Sequence, residues 1–350
     1  EEAQTLGIAP SVSAMPEALP EANHERDAAD YITDPAQAFA RGAHGMYKAG
    51  LGMADFVTAI PQMAISKVLT GEARTGHISR AVNDALPATL DEGEAYWKGK
   101  RSLAQQRADQ KYDEAEGVVD TAKVLVTHPS LAGNFVAESI PSTLLGGGAS
   151  RLLGTGGGVI RKLVASGAGE GMVQSGSSLE DSRSASEDGL VAGMDVGYAG
   201  ISGAGTGVIG VAGGKLSQKI GVEDLDLLMA GGRQAAQDTT AKMTIGRAGR
   251  RIAGGAIQEG LFEEAGQSAW ETGTENYRTG RPLQQGVGKA AVTGMAVGGI
   301  MGGSVNAATS TIDLLSKDPS PETSSPPPPP STDPEVYAEL AELVEKEKGG

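Results

Sequence analysis

"AAVTGMAVGGIMGGSVNAATSTI", residues 290–312, runs 23 residues without a charged side chain and carries five glycines. Two structures suit such a stretch: a helix in lipid, or a helix packed closely on other helices in water. Gly294, Gly298 and Gly302 fall four apart, and Gly299 and Gly303 repeat the step one residue over. On a helix this spacing clears a groove free of side chains, a glycine zipper that a neighbouring backbone can approach. At 1.5 Å per residue the stretch reaches about 34 Å, against a hydrocarbon core of about 30 Å. Its hydrophobicity is marginal for insertion. Only Val292, Met295, Val297, Ile300, Met301, Val305 and Ile312 are large and apolar, beside Asn306 and five Ser/Thr. That balance fits two expectations: a water-soluble helical form able to open and insert glycine-rich hairpins, or an ordinary soluble Gly/Ala bundle.

Composition agrees with close helix packing. The 350 residues include 52 Gly but only four Phe and two Trp, so the interior must be built from Ala, Val, Ile, Leu and Met. Uncharged runs recur at 139–150 and 196–214, the second placing Gly203, Gly207, Gly210 and Gly214 at zipper spacing. Period-2 alternation of β-branched residues is scarce. The expected fold class is therefore mainly α: an irregular bundle of helical hairpins with glycine-rich helices, an extended N-terminal arm and a Pro-rich C-terminal linker.

Five regions are expected. Residues 1–35 mix proline with acids and read as an extended acidic arm. Residues 36–130 are an amphipathic helical region. Phe39, Ala43, Met46, Gly50, Met53 and Val57 line one helix face there, and Pro61 should bend or end that helix near Ile60. A second helix is expected over about 94–126, ended by "THPS" at His128–Pro129. Residues 131–315 form the Gly/Ala-rich hairpin region. Residues 316–334 hold the Pro-rich linker, with eight prolines in 318–334, and 335–350 read as the start of a following helical module. The chain opens "EEAQTLG" without a methionine or signal core, so it is expected to be a piece of a longer polypeptide.

A weak repeat runs through the hairpin region. "EGMVQSGSSLEDS" from Glu170 and "EGLFEEAGQSAWETG" from Glu259 each lead into a glycine-rich uncharged segment. In the second copy Leu261, Ala265 and Ala269 are expected to pack, with Glu259, Glu263, Gln267 and Glu271 on a solvated face.

The net charge of −15 is concentrated at the ends. Residues 1–34 hold eight acids and one base, residues 313–350 nine acids and three bases, and the body is nearly neutral. No sustained basic stripe suits nucleic acid; "GRAGRR" (Arg247, Arg250, Arg251) is the densest cluster and reads as a solvated helix end. The absence of cysteine excludes disulfides, zinc–thiolate sites and thiol catalysis.

Catalytic signals are thin. "GTGVIG" (Gly205, Gly207, Gly210) matches a dinucleotide fingerprint, but no strand precedes it and no βαβ unit surrounds it. His24, His44, His77 and His128 stand at no ligand spacing. Glu138–Ser139 is similar to the Glu-Ser dipeptide of lytic transglycosylases, without the surrounding motifs of those enzymes. No catalytic, cofactor or metal residue is assigned.

Three stretches carry a resemblance: 117–152 ("GVVDTAKVLVTHPSLAGNFVAESIPSTLLGGGASRL"), 214–232 ("GKLSQKIGVEDLDLLMAGG") and 250–303 ("RRIAGGAIQEGLFEEAGQSAWETGTENYRTGRPLQQGVGKAAVTGMAVGGIMGG"). They resemble the large internal virion proteins of short-tailed bacteriophages, the DNA-ejection proteins. The resemblance implies a protein held inside the capsid and released through portal and tail. It would then oligomerise with itself and other ejection proteins into a conduit across periplasm and host inner membrane, which DNA passes without sequence-specific binding. Helix packing and oligomerisation are expected at Gly203, Gly207, Gly210, Gly214, Gly294, Gly298 and Gly302, with Trp97 and Trp270 as membrane or packing anchors. Alternatives are a soluble internal-core scaffold of the capsid, a toxin or effector translocation domain, or part of a lytic transglycosylase.

Overall fold

The computed structural model describes residues 28–86, 93, 96–97, 99–154, 159–220 and 245–315. The expected arm up to residue 27, residues 221–232 of the second resembling stretch, the Pro-rich linker 316–334 and the module 335–350 lie outside the described residues.

The fold is mainly α-helical. In chain order come α1 (Asp30–Val57), α2 (Ala59–Thr70), β1 (Arg74–Thr75), α3 (His77–Ala85), α4 (Leu103–Glu114), α5 (Gly117–Thr127), α6 (Pro129–Gly154) and α7 (Val159–Ser184). Then follow β2 (Val191–Ala192), α8 (Gly193–Ile220), α9 (Ile245–Ile257), a π-helical segment (Gln258–Glu264), α10 (Ala265–Arg278) and α11 (Val287–Leu315). The strands form one short antiparallel ribbon pairing Arg74 with Ala192 and Thr75 with Val191.

Helix ends follow local chemistry, and some differ from the sequence reading. The 94–126 region does not form one helix. Ser102 caps α4 by accepting from Gln105 N at 3.1 Å, and Gly117 (φ +67°) turns the chain into α5. Helix α1 begins five residues before Pro35, so the end of the expected extended arm is helical. The break near Pro61 falls at Thr58, which leaves the proline in the first turn of α2, where its missing N–H costs nothing.

The helices close into a ring: α7 packs on α8, α8 on α10, α10 on α11, α11 on α6 and α6 on α7, while α1 lies against both α6 and α7. Regions 36–130 and 131–315 therefore share one interior. One apolar cluster joins Ala108, Leu125, Leu131 and Val292 from four helices. A second joins Leu179, Val191 and Ala199, with Phe56 against it. Tyr112 ties α4 to α11, its hydroxyl 2.6 Å from Thr293 Oγ1 and its ring 4.3 Å from Lys289 Nζ.

Small and polar residues dominate the inside. Among the described residues, ten of the 17 buried hydrophobic residues are alanine, and 27 polar or charged residues are buried. The α1 face expected to pack is displaced by one position: Asp34, Ala38, Gly42, Ala49, Gly52 and Asp55 are buried, while Phe39 and Val57 are exposed. A glycine helix offers no side chains, so backbones come close and only small neighbours fit at the crossings. Large apolar side chains are displaced outward.

Candidate functional site

The crossings are built from glycine against backbone. A Cβ at Gly42 would overlap the Glu138 carbonyl, and one at Gly52 the Gly176 carbonyl, which fixes α1 on α6 and α7. Gly171 and Gly203 oppose each other across α7 and α8, as do Gly167 and Gly207 one turn on. In the second hairpin Gly260 meets Met295 and Gly299 of α11. Both Glu-Gly pairs take the same place. Gly171 and Gly260 make the backbone crossing, while Glu170 lies over Gly210 and Glu259 over Gly302.

The glycines singled out in the sequence thus meet neighbours within the same chain. Gly203 and Gly207 face α7, Gly210 seats Glu170, and Gly214 is buried. Gly294 lies against Glu264 and Ser268, Gly298 against Glu264 and Glu259, and Gly302 against Gly255 and Glu259. Trp270 is partly exposed and lies over Gly205, its Nε1 donating to Ser202 O at 3.0 Å. Trp97 stacks edge-on with Tyr96 at 5.2 Å.

The solvated face expected on the second amphipathic helix is corrected. Glu259, Glu263 and Gln267 are buried, Glu271 is half-buried, and Leu261 and Phe262 are exposed. The glycine surface of α11 and α8 leaves a shallow groove, and long unbranched side chains with polar tips fill it. Gln258 Nε2 donates to Glu263 Oε2 at 2.8 Å, and Gln267 Nε2 donates to Glu170 Oε2 at 2.7 Å. Glu263, expected on that solvated face, is only 1 % exposed. Arg251 of the basic cluster is likewise buried, while Arg250 is exposed.

Two open clefts of mixed polar and apolar lining lie between the helices. One, about 450 Å³, is lined by Arg41, Glu138, Ser139, Ser142, Ser177, Glu264, Ser268 and Thr293, among others. The next, about 480 Å³, is lined by Gln174, Ser177, Asp181, Glu271, Glu275 and Arg281, among others. Ser177 borders both. Arg41 is ion-paired with Glu138, and Glu271 Oε1 accepts from Thr206 Oγ1 at 3.1 Å. Burial pushes the Glu264 carboxyl up to about 7, and the charge of Glu271 acts in the same direction. Burial also pushes Glu271 up to about 7, against the lowering effect of the Thr206 hydrogen bond.

Among the described residues no catalytic constellation emerges. Glu138 is half-buried and ion-paired, and Ser139 Oγ donates to Phe135 O at 2.8 Å within its own helix. "GTGVIG" lies wholly inside α8, with no strand-to-helix turn to cradle a phosphate. Among the described residues no group of three or more His, Cys, Asp or Glu is arranged to hold a metal ion. None of the described helices is long and apolar enough to cross a membrane. No family model, curated protein or solved structure matches this chain.

Sequence reasoning missed Glu264 and Glu271 as interior groups. The available signal was the neighbouring charge-free glycine helix, which has nothing of its own to fill the space opposite.

Proposed function

We propose that this chain is a non-enzymatic structural segment of a phage ejection protein, which self-associates and helps build an envelope conduit for viral DNA. The observation that carries the reading is the inverted distribution of side chains. Hydroxyls, amides and carboxylates lie among alanines in the interior, while Met194, Ile201 and Val208 of α8 stand 71 %, 53 % and 70 % exposed along one stripe. Ile60, Ile65, Val68 and Leu69 of α2 are exposed as well. Exposed apolar surface of this extent suits further association. An interior of alanine, glycine and polar groups buries little apolar area, which suits a protein that must unfold to leave a capsid and refold outside it. The resemblance at 117–152, 214–232 and 250–303 supports the phage assignment, with portal, tail and host inner membrane as further partners.

Sedimentation velocity of the chain, with and without liposomes, tests this. We expect oligomers that Ile201→Asp with Val208→Asp dissolves, and co-flotation with lipid that the same changes abolish. A monomer that ignores lipid would end the proposal. Oligomers that never bind lipid would favour the internal-core scaffold, a reading supported by the lack of a membrane-spanning helix among the described residues.

A further inference from the structure

Glu264 and Glu271 stand seven residues apart, two turns along the inner side of one helical rod, each facing one of the two clefts. Neither forms an ion pair among the described residues. The cations lining these clefts are already engaged: Arg41 with Glu138, and Arg281 with Glu275 at 3.5 Å and Thr279 at 2.8 Å. Glu275 of α10 is held by Arg278 at 2.7 Å as well, and the other acid lining these clefts is Asp181 of α7. A further cleft sharing Ser177 brings His44 and Lys48 of α1 beside Glu180 and Asp181, with Glu180 held by Arg183 at 2.7 Å. On the same rod Gln258 bonds Glu263, and Gln267 reaches across to Glu170 of α7. Acids thus outnumber bases around the pair, and no described group is arranged for a metal.

We infer that Glu264 and Glu271 form a proton-binding site whose occupancy sets how closely the π-helical segment and α10 sit on α11 and α8. When the carboxyls are neutral, the glycine crossings close without burying charge, and each gains an O–H donor for the hydroxyls and carbonyls around it. When both are ionised, two like charges with no cation between them draw water into the clefts and push α10 outward. This goes beyond self-association and holds whether or not the chain oligomerises. The burial that raises both groups places the change near neutral pH.

Trp270 sits at the α8–α10 contact, so Trp97→Phe leaves a single reporter of that interface. We expect its emission to shift to the red as pH is raised from 5 to 9, with a midpoint near 7. Glu264→Gln with Glu271→Gln should remove the transition, and His44→Gln should leave it in place. A transition that survives the glutamine pair, or that disappears with His44, overturns the inference. On the unaltered fold, carboxyl NMR of glutamate-labelled chain gives a second reading. Two glutamates titrating near 7 support the site, and all glutamates titrating below about 5, the ordinary range, refute it.

Discussion

Gly171 of α7 and Gly203 of α8 cross backbone to backbone, each carbonyl standing where the other residue's Cβ would be, with Ser175 Oγ beside the Gly203 position. No rotamer change can make room, because the obstacle is backbone. Gly203→Ala should therefore cost about 1–3 kcal/mol, and Gly203→Leu more, as read by urea denaturation. Gly197 of the same helix has nothing within 4 Å of a Cβ. There Gly197→Ala should stabilise by about 0.5–1 kcal/mol, since only the helix-propensity penalty is removed.

Two buried aspartates of α1 start other helices. Asp55 accepts from Ile78 N at 3.0 Å, from Ser79 N at 2.8 Å and from Gln62 Nε2 at 2.8 Å. Asp34 does the same for α4, accepting from Ser102 N at 2.9 Å and Ser102 Oγ at 2.7 Å. Asp55→Ala leaves the first N–H groups of α3 unsatisfied and should cost about 2–3 kcal/mol, with hydrogen exchange of α3 rising first. Ser79→Ala should cost about 1 kcal/mol.

Stability should fall as pH rises. An acid whose folded value lies above its unfolded one favours the fold while protonated. Glu264 and Glu271 therefore contribute fully below about 4.5 and lose that contribution as pH passes through about 7. Between pH 5.5 and pH 8 the Tm should drop by roughly 4–8 °C, corresponding to about 2 kcal/mol, half of the ideal value of about 4 kcal/mol for the two carboxyls because solvent reaches both and screens them. The Glu264→Gln, Glu271→Gln variant should flatten this profile and raise Tm at pH 8; an unchanged slope would contradict the assignment.

Gly205 serves as the seat of Trp270, whose indole occupies the place of a Cβ there. Gly205→Ala should lift the ring and break its hydrogen bond to Ser202 O, costing about 1–2 kcal/mol and moving Trp270 emission to the red. Trp270→Phe, which keeps the ring contact but loses the donor, should cost about 1 kcal/mol by the same denaturation measurement.

The 290–312 stretch was legible as a helix with a glycine edge, and α11 spans it. The Glu-Gly pairs at 170 and 259 marked the units whose backbones cross. Less legible were the faces. A hydrophobic period assigns the apolar side inward, and for α1 and for 258–271 the buried side is the small or acidic one. Periodicity counts side-chain polarity and assumes a partner surface with side chains of its own.

Local chemistry in the sequence, namely glycine spacing, caps, prolines and the lack of aromatic rings, determined that this protein is a set of closely approaching helices. Which side of each helix lies inside was decided only in the tertiary structure. Glycine against carbonyl sets the distance between backbones, and at that distance flexible glutamates and glutamines fit the remaining space while bulky apolar groups do not.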